Sequence, residues 1–110
     1  MKKKETIKSK LDFNTIINNG KKVGNEYFTV FYMDYDKNEK LFGVTIQKKS
    51  GNAVVRNKLK RQTRALIDET KILFKNYRKY IIIIKKKCLT AKYNEKLLAL
   101  KTLVGEINEK

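Results

Sequence analysis

An α+β sandwich with one central sheet, in the order α-β-β-β-α-β-α, is predicted by three features of this 110-residue sequence. Two segments rich in β-formers, Tyr27–Tyr35 and Leu41–Lys48, are separated by the polar turn Asp36–Glu39. A long stretch from Ala53 to about Asn76 then carries apolar residues at helical spacing. An isoleucine-rich strand, Tyr80–Lys85, is followed by a helix from about Tyr93 to Ile107. Strands and helices in this order give one sheet with helical cover, and the length suits one domain.

Each element follows from its residues. Residues 1–10 are polar and basic and are expected as a flexible arm, leaving 11–110 as a single domain. Leu11–Asn19 places Leu11, Phe13, Ile16 and Ile17 at helix-compatible spacing, and Gly20 is its stop signal. Lys21–Asn25 reads as a brief strand. Within Tyr27–Tyr35, alternation sets Phe28, Val30 and Tyr32 against Tyr27, Thr29, Phe31 and Met33. Both faces are apolar or aromatic, so one carries the core and the other is covered or receives a ligand. In Leu41–Lys48, Phe42, Val44 and Ile46 share one face, and Gly43, Thr45 and Gln47 the other. The short turn between these strands predicts an antiparallel hairpin.

Ser50-Gly51-Asn52 breaks the strand, and Ser50 or Asn52 is placed to cap the next helix. At 100° per residue, Val55, Leu59, Gln62, Leu66 and Leu73 fall along one line. Arg56, Asn57, Lys60, Arg61 and Arg64 fall opposite. Ile67 and Phe74 lie off the apolar line, which implies cover on a second side. In the last helix Leu97, Leu100, Leu103, Val104 and Ile107 keep helical spacing.

Charge dominates the composition: 27 Lys and Arg against 11 Asp and Glu, a formal net charge of +16. Self-repulsion of this size favours a polyanionic partner, and nucleic acid binds such a chain through counterion release. An anionic membrane surface is the other candidate, but the cations are spread through a globular pattern and not gathered in one amphipathic segment. No apolar run approaches 18 residues, no apolar segment follows basic Met1–Glu5, and Cys88 is the single cysteine. These features suit a cytoplasmic protein with no membrane span.

The segment Gln47–Arg64 holds seven basic residues and no acid. The chain has four arginines, and Arg56, Arg61 and Arg64 lie within nine residues. Guanidinium binds phosphate bidentately and stacks on bases where lysine supplies only charge, so concentrated arginine points to selected geometry. The plainer alternative is a solvated basic face. The chemistry of cleavage is absent from the same sequence. There is no histidine. Asp34, Asp36 and Glu39 sit in a turn, and Cys88 follows Lys85–Lys87 without a partner base.

The run Lys48-Lys49-x-Gly51-Asn52-Ala53-Val54-x-Arg56-Asn57-Lys58-x-Lys60-Arg61-x-x-Arg64 closely resembles the signature of the bacterial ribonuclease P protein subunit. Leu11-Asp-Phe13, Gly20, Phe42-Gly43, the Tyr80–Ile84 strand and the last helix also stand in that family's order, so the resemblance spans about Leu11 to Ile107. It implies a fold like the second domain of ribosomal protein S5, with a left-handed βαβ crossover around the basic helix. It implies that Lys48, Lys49, Asn52, Arg56, Asn57, Lys58, Lys60, Arg61 and Arg64 contact the catalytic RNA. Phe13, Ile17, Phe31, Thr45 and Gln47 would line a cleft for the single-stranded 5′ leader of precursor tRNA. Hydrolysis would belong to the RNA, with Mg2+ bound through it and none assigned to the protein. The sequence departs from the pattern at Lys58, where the family has arginine, at Ile17, where phenylalanine is frequent, and at Phe31, where tyrosine is frequent. For Phe13, core packing and base stacking both fit. A ribosomal or general RNA-binding protein of the same fold, with no part in cleavage, is the alternative.

Overall fold

The computed structural model describes residues 3–7 and 9–109. Among them the order is α1 (Lys10–Asn19), β1 (Lys21–Gly24), β2 (Phe28–Asp34), β3 (Lys40–Ile46), α2 (Ala53–Thr70), β4 (Arg78–Ile84) and α3 (Tyr93–Asn108), the predicted α-β-β-β-α-β-α sequence. Single 3-10 turns precede α1 and α2 and follow α2 and β4.

The four strands form one sheet in the order β1-β2-β4-β3. Here the structure corrects the expected hairpin, because β2 and β3 do not pair. β4 lies between them, antiparallel to β2 and parallel to β3. The reason is chemical. Ile81, Ile82 and Ile84 are buried at 0–1% exposure, and a strand apolar on both sides belongs where it has a neighbour on each edge and cover on each face. The Asp36–Glu39 turn therefore spans a gap one strand wide. Tyr77 fills its mouth, donating its N–H to Glu39 O at 2.8 Å and accepting from Tyr35 N at 2.8 Å. Tyr77 does so with φ of 64°, a left-handed conformation that a tyrosine rarely adopts. β3, α2 and β4 form the parallel β-α-β crossover.

One face of the sheet carries the main core. Phe28, Val30, Phe42, Tyr80, Ile82 and Ile84 pack against Leu59, Leu66 and Ile67 of α2 and Leu100, Leu103, Val104 and Ile107 of α3. Phe42, Phe74 and Tyr80 form an aromatic cluster with ring centroids 4.9–5.5 Å apart. Phe74 explains why α2 stops at Thr70 and not near Asn76. The chain leaves the helix through the Lys71–Leu73 turn to deliver this ring to the core, and Lys40 Nζ caps the freed carbonyls of Lys71 and Phe74 at 2.6 and 3.0 Å. Leu73, expected on the apolar stripe, is consequently 44% exposed, while Ile67 is fully buried.

The opposite face is only partly covered. α1 has ten residues, about 15 Å of helix, and Gly20 ends it by close approach. A Cβ there would stand 2.5 Å from Ile16 O and 2.7 Å from Tyr32 O. Ile16, Ile7 and Ile81 are buried on this side, with Phe13, Phe31, Met33, Leu41 and Ile83 half-buried around them. Residues 5–7, read from the sequence as part of a loose arm, are held against β3. Ile7 N donates to Phe42 O at 2.9 Å, and Glu5 pairs with Lys71. An isoleucine in a lysine-rich run gave too little pattern to reveal this. Of the expected arm, Met1, Lys2 and Lys8 lie outside the described residues.

Candidate nucleic-acid interface

Strand register assembles the open face. Lys22, Phe31, Ile81 and Gly43 stand in one row across the sheet, and Gly24, Thr29, Ile83 and Thr45 in the next. The first row lies under α1. A Cβ on Gly43 would stand 2.4 Å from Phe13 Cζ, so the phenyl ring rests on the bare glycine backbone. The second row lies beyond the reach of the short helix. There a groove of about 510 Å³ opens, floored by Thr29, Phe31 and Ile83 and bordered by Lys22, Gln47, Lys49, Ser50, Lys85 and Lys86. An apolar and aromatic floor with an ammonium rim matches the chemistry of a single strand, with its flat bases and anionic backbone.

Of the five residues expected in a cleft, Phe31 and Gln47 line this groove directly. Thr45 stands in the same sheet row as Ile83 and Thr29. Phe13 closes the adjoining row, half-buried, so packing and groove shape are served by one ring. Ile17, one helical turn further on, is 37% exposed and does not line the groove. Sequence reasoning missed Lys22, Lys85 and Lys86. Their convergence depends on β4 lying next to β2, a pairing with no local signal.

The groove runs into the basic helix through the Gln47–Ser50 turn. Ser50 is buried and its N–H donates to Gln47 O at 3.0 Å. Gly51 takes φ of 142°, open to glycine alone. Of the two candidate caps, Asn52 is the one used. Its Oδ1 accepts from Val55 N at 3.0 Å, which settles the start of α2. Leu59, Thr63, Leu66 and Ile67 turn inward, and Thr63 Oγ1 returns its proton to Leu59 O at 2.8 Å. Asn57, Lys58, Arg61 and Arg64 are exposed, with Arg56 and Lys60 half-exposed. Arg56 Nε is buried without a hydrogen-bond partner among the described residues. Lys48 and Lys49 project from the turn, and the first turn of α2 holds no acid. The positive pole of the helix therefore adds to their charge.

Cys88 is buried, its Sγ donates to Tyr27 O at 3.1 Å, and burial pushes the thiol up to about 11. Among the described residues no three His, Cys, Asp or Glu side chains converge as a metal site. No described helix is long and apolar enough to cross a membrane.

The fold and this surface define a class: small α+β proteins with an arginine-bearing helix beside a partly apolar sheet groove, a combination suited to single-stranded polyanions. The chain belongs to the ribonuclease P protein family, whose model, described as Ribonuclease P, matches residues 1–108. It is 39% identical over 111 residues to the Ribonuclease P protein component of Mycoplasma mycoides, covering 97% of this chain and 99% of the relative. It is 38% identical over 96 residues to that of Bacillus cereus, covering 86% and 84%. Solved structures agree. An RNase P protein mutant from Staphylococcus aureus with defective mRNA degradation activity superposes with a TM-score of 0.88 at 26% identity, covering 96% of this chain and 90% of that one. The RNase P protein from Thermotoga maritima gives 0.83 at 27% identity, covering 91% and 94%.

Proposed function

We propose that this protein is the protein subunit of ribonuclease P. In this reading, α2 and the Lys48–Ser50 turn bind the phosphates of the catalytic RNA. The groove holds the single-stranded 5′ leader of precursor tRNA, with Phe31 as a stacking surface and Lys22, Lys49 and Lys85 near its phosphates. The observation that carries the proposal is the continuity of the two surfaces through Gln47–Ser50, since Lys49 belongs to both. A leader in the groove would therefore emerge beside the RNA held by the helix. The protein contributes binding and orientation, which lower the cost of bringing substrate and catalyst together.

Cleavage itself is assigned to the RNA. The sequence has no histidine, and the one thiol is raised away from reactivity. Magnesium would be held by RNA phosphates, where the screening cations of the protein favour compact packing of strands. A cytoplasmic location follows from the same role. The test is reconstitution with a bacterial ribonuclease P RNA at low Mg2+. The protein alone should leave precursor tRNA intact, and adding it to the RNA should lower the Mg2+ needed for 5′ maturation. Cleavage by rigorously RNA-free protein would refute the assignment. Binding to ribosomal RNA with no effect on maturation would favour a general RNA-binding role.

A further inference from the structure

Lys96 of α3 is 4% exposed. Its Nζ donates to Gln62 Oε1 of α2 at 2.8 Å, and no other partner for the ammonium occurs among the described residues. An ammonium has three donors, and burying one without an anion is unfavourable unless something completes it. No described carboxylate forms an ion pair with it. Burial lowers its pKa, partly opposed by Cys88, while the charge of Lys58 pushes the same way as burial. The protein has thus placed two lysines near one another, one of them out of water, in a chain of net charge +16.

The residue opens onto a cavity of about 290 Å³ between α2, the Lys86–Leu89 turn and α3. Lys58 and Gln62 line it from α2, and Cys88 and Ala91 from the opposite side. The Cys88 thiol is already engaged with Tyr27 O. Gln62 accepts from Lys96 through its oxygen, so its amide N–H groups remain as donors. Val55, Leu59 and Leu89 complete the lining with apolar surface, and the polar side-chain groups left to serve a ligand are donors: the two remaining N–H groups of Lys96, the Gln62 amide and the exposed Lys58 ammonium. A tetrahedral oxyanion offers acceptors in enough directions to meet all three.

We propose that this cavity is a phosphate-group site, in which Lys96, Lys58 and the Gln62 amide together hold one oxyanion. The phosphate is supplied either free or as a backbone group of RNA running past α2. The site stands on Lys96. Only its RNA source rests on the functional reading above.

The experiment titrates inorganic phosphate into the full-length protein, with chloride at equal ionic strength as reference. It follows melting temperature and the NMR shifts of residues 58–62 and 96. Phosphate should raise the melting temperature saturably and shift these residues. Lys96→Met, which keeps the stem and removes the charge, should weaken phosphate binding about ten-fold or more. Gln62→Glu should do the same by giving Lys96 a resident carboxylate, and it retains the native lysine should Lys96→Met fail to fold. Lys101→Met, exposed on the same helix, should leave phosphate binding unchanged. Phosphate binding that survives Gln62→Glu and Lys96→Met at native strength overturns the proposal. A second arm measures binding to ribonuclease P RNA. If Lys96→Met weakens it and lowers the salt slope by about one, RNA supplies the phosphate. Unchanged RNA affinity with lost phosphate binding assigns the site to the free anion.

Discussion

Replacing Phe31 by alanine separates a binding role from a packing role, because the structure sets the size of each. Phe31 is half-buried, beside Ile81 in its row and Thr29 and Ile83 in the groove. Truncating a fully buried phenylalanine costs about 3–5 kcal/mol, so a half-buried one should cost roughly half, about 1.5–2.5 kcal/mol. For a domain of this size that lowers the melting temperature by roughly 6–20 °C. Losing one base stack costs about 1–3 kcal/mol of binding, about five- to a hundred-fold in affinity. The assay measures melting temperature and then, well below it, the affinity of the assembled holoenzyme for precursor and mature tRNA. Only precursor carries a leader, so Phe31→Ala should weaken precursor binding by that factor and leave mature tRNA nearly unchanged. Equal losses for both substrates, or a stability loss of fully buried size with no difference in binding, would refute the placement of the leader in the groove.

Further outcomes follow from other parts of the molecule. Arg61→Ala should leave the melting temperature almost unchanged, since the side chain is exposed, yet reduce the salt slope of RNA binding by about one; an unchanged slope with an intact circular dichroism spectrum counts against a phosphate contact. Gly43→Ala should destabilise by about 1–3 kcal/mol, because its methyl would stand 2.4 Å from Phe13 Cζ; wild-type stability in denaturant melts would show that Phe13 does not rest there. Cys88 should resist alkylation in the folded protein at pH 8, where a thiol at about 11 is roughly one part in a thousand thiolate, and react on unfolding in urea; equal labelling rates would contradict its burial.

Local periodicity made the elements readable. Alternation in β2 correctly divided Phe28, Val30 and Tyr32 from Thr29, Phe31 and Met33, since core cover on one face leaves the pattern on both, but Tyr27, grouped with the second set, lies before the strand and packs against the main core. The cap at Asn52 and the inward turn of Leu59 and Leu66 were equally local. What escaped was non-local. The polar turn before Lys40 looks like a hairpin loop because four residues can close a hairpin as easily as they can bridge a gap. Nothing in them records that Tyr77 will enter between their ends. The end of α2 was misplaced for a similar reason, since Ile72 and Leu73 continue the helical spacing and only the demand for Phe74 in the core breaks it. Phe31 and Gln47 were reached through the resemblance and the strand pattern, whereas Lys22, Lys85 and Lys86 needed the sheet order itself. Ile7 was hidden among lysines.

The central position of β4 constrains the order in which the chain can acquire structure during synthesis. β2 and β3 have no pairing with one another, so while the ribosome has released only the first 70 or so residues, β1 can pair with β2 but β3 cannot join them in the native sheet. The edges of β2 and β3 that face β4 stay open until Arg78–Ile84 emerges to pair with both. Such dependence on distant pairing slows folding and leaves apolar strands exposed meanwhile. The high lysine content of the nascent segment then has a second use, since mutual repulsion between unfinished copies discourages them from pairing edge to edge.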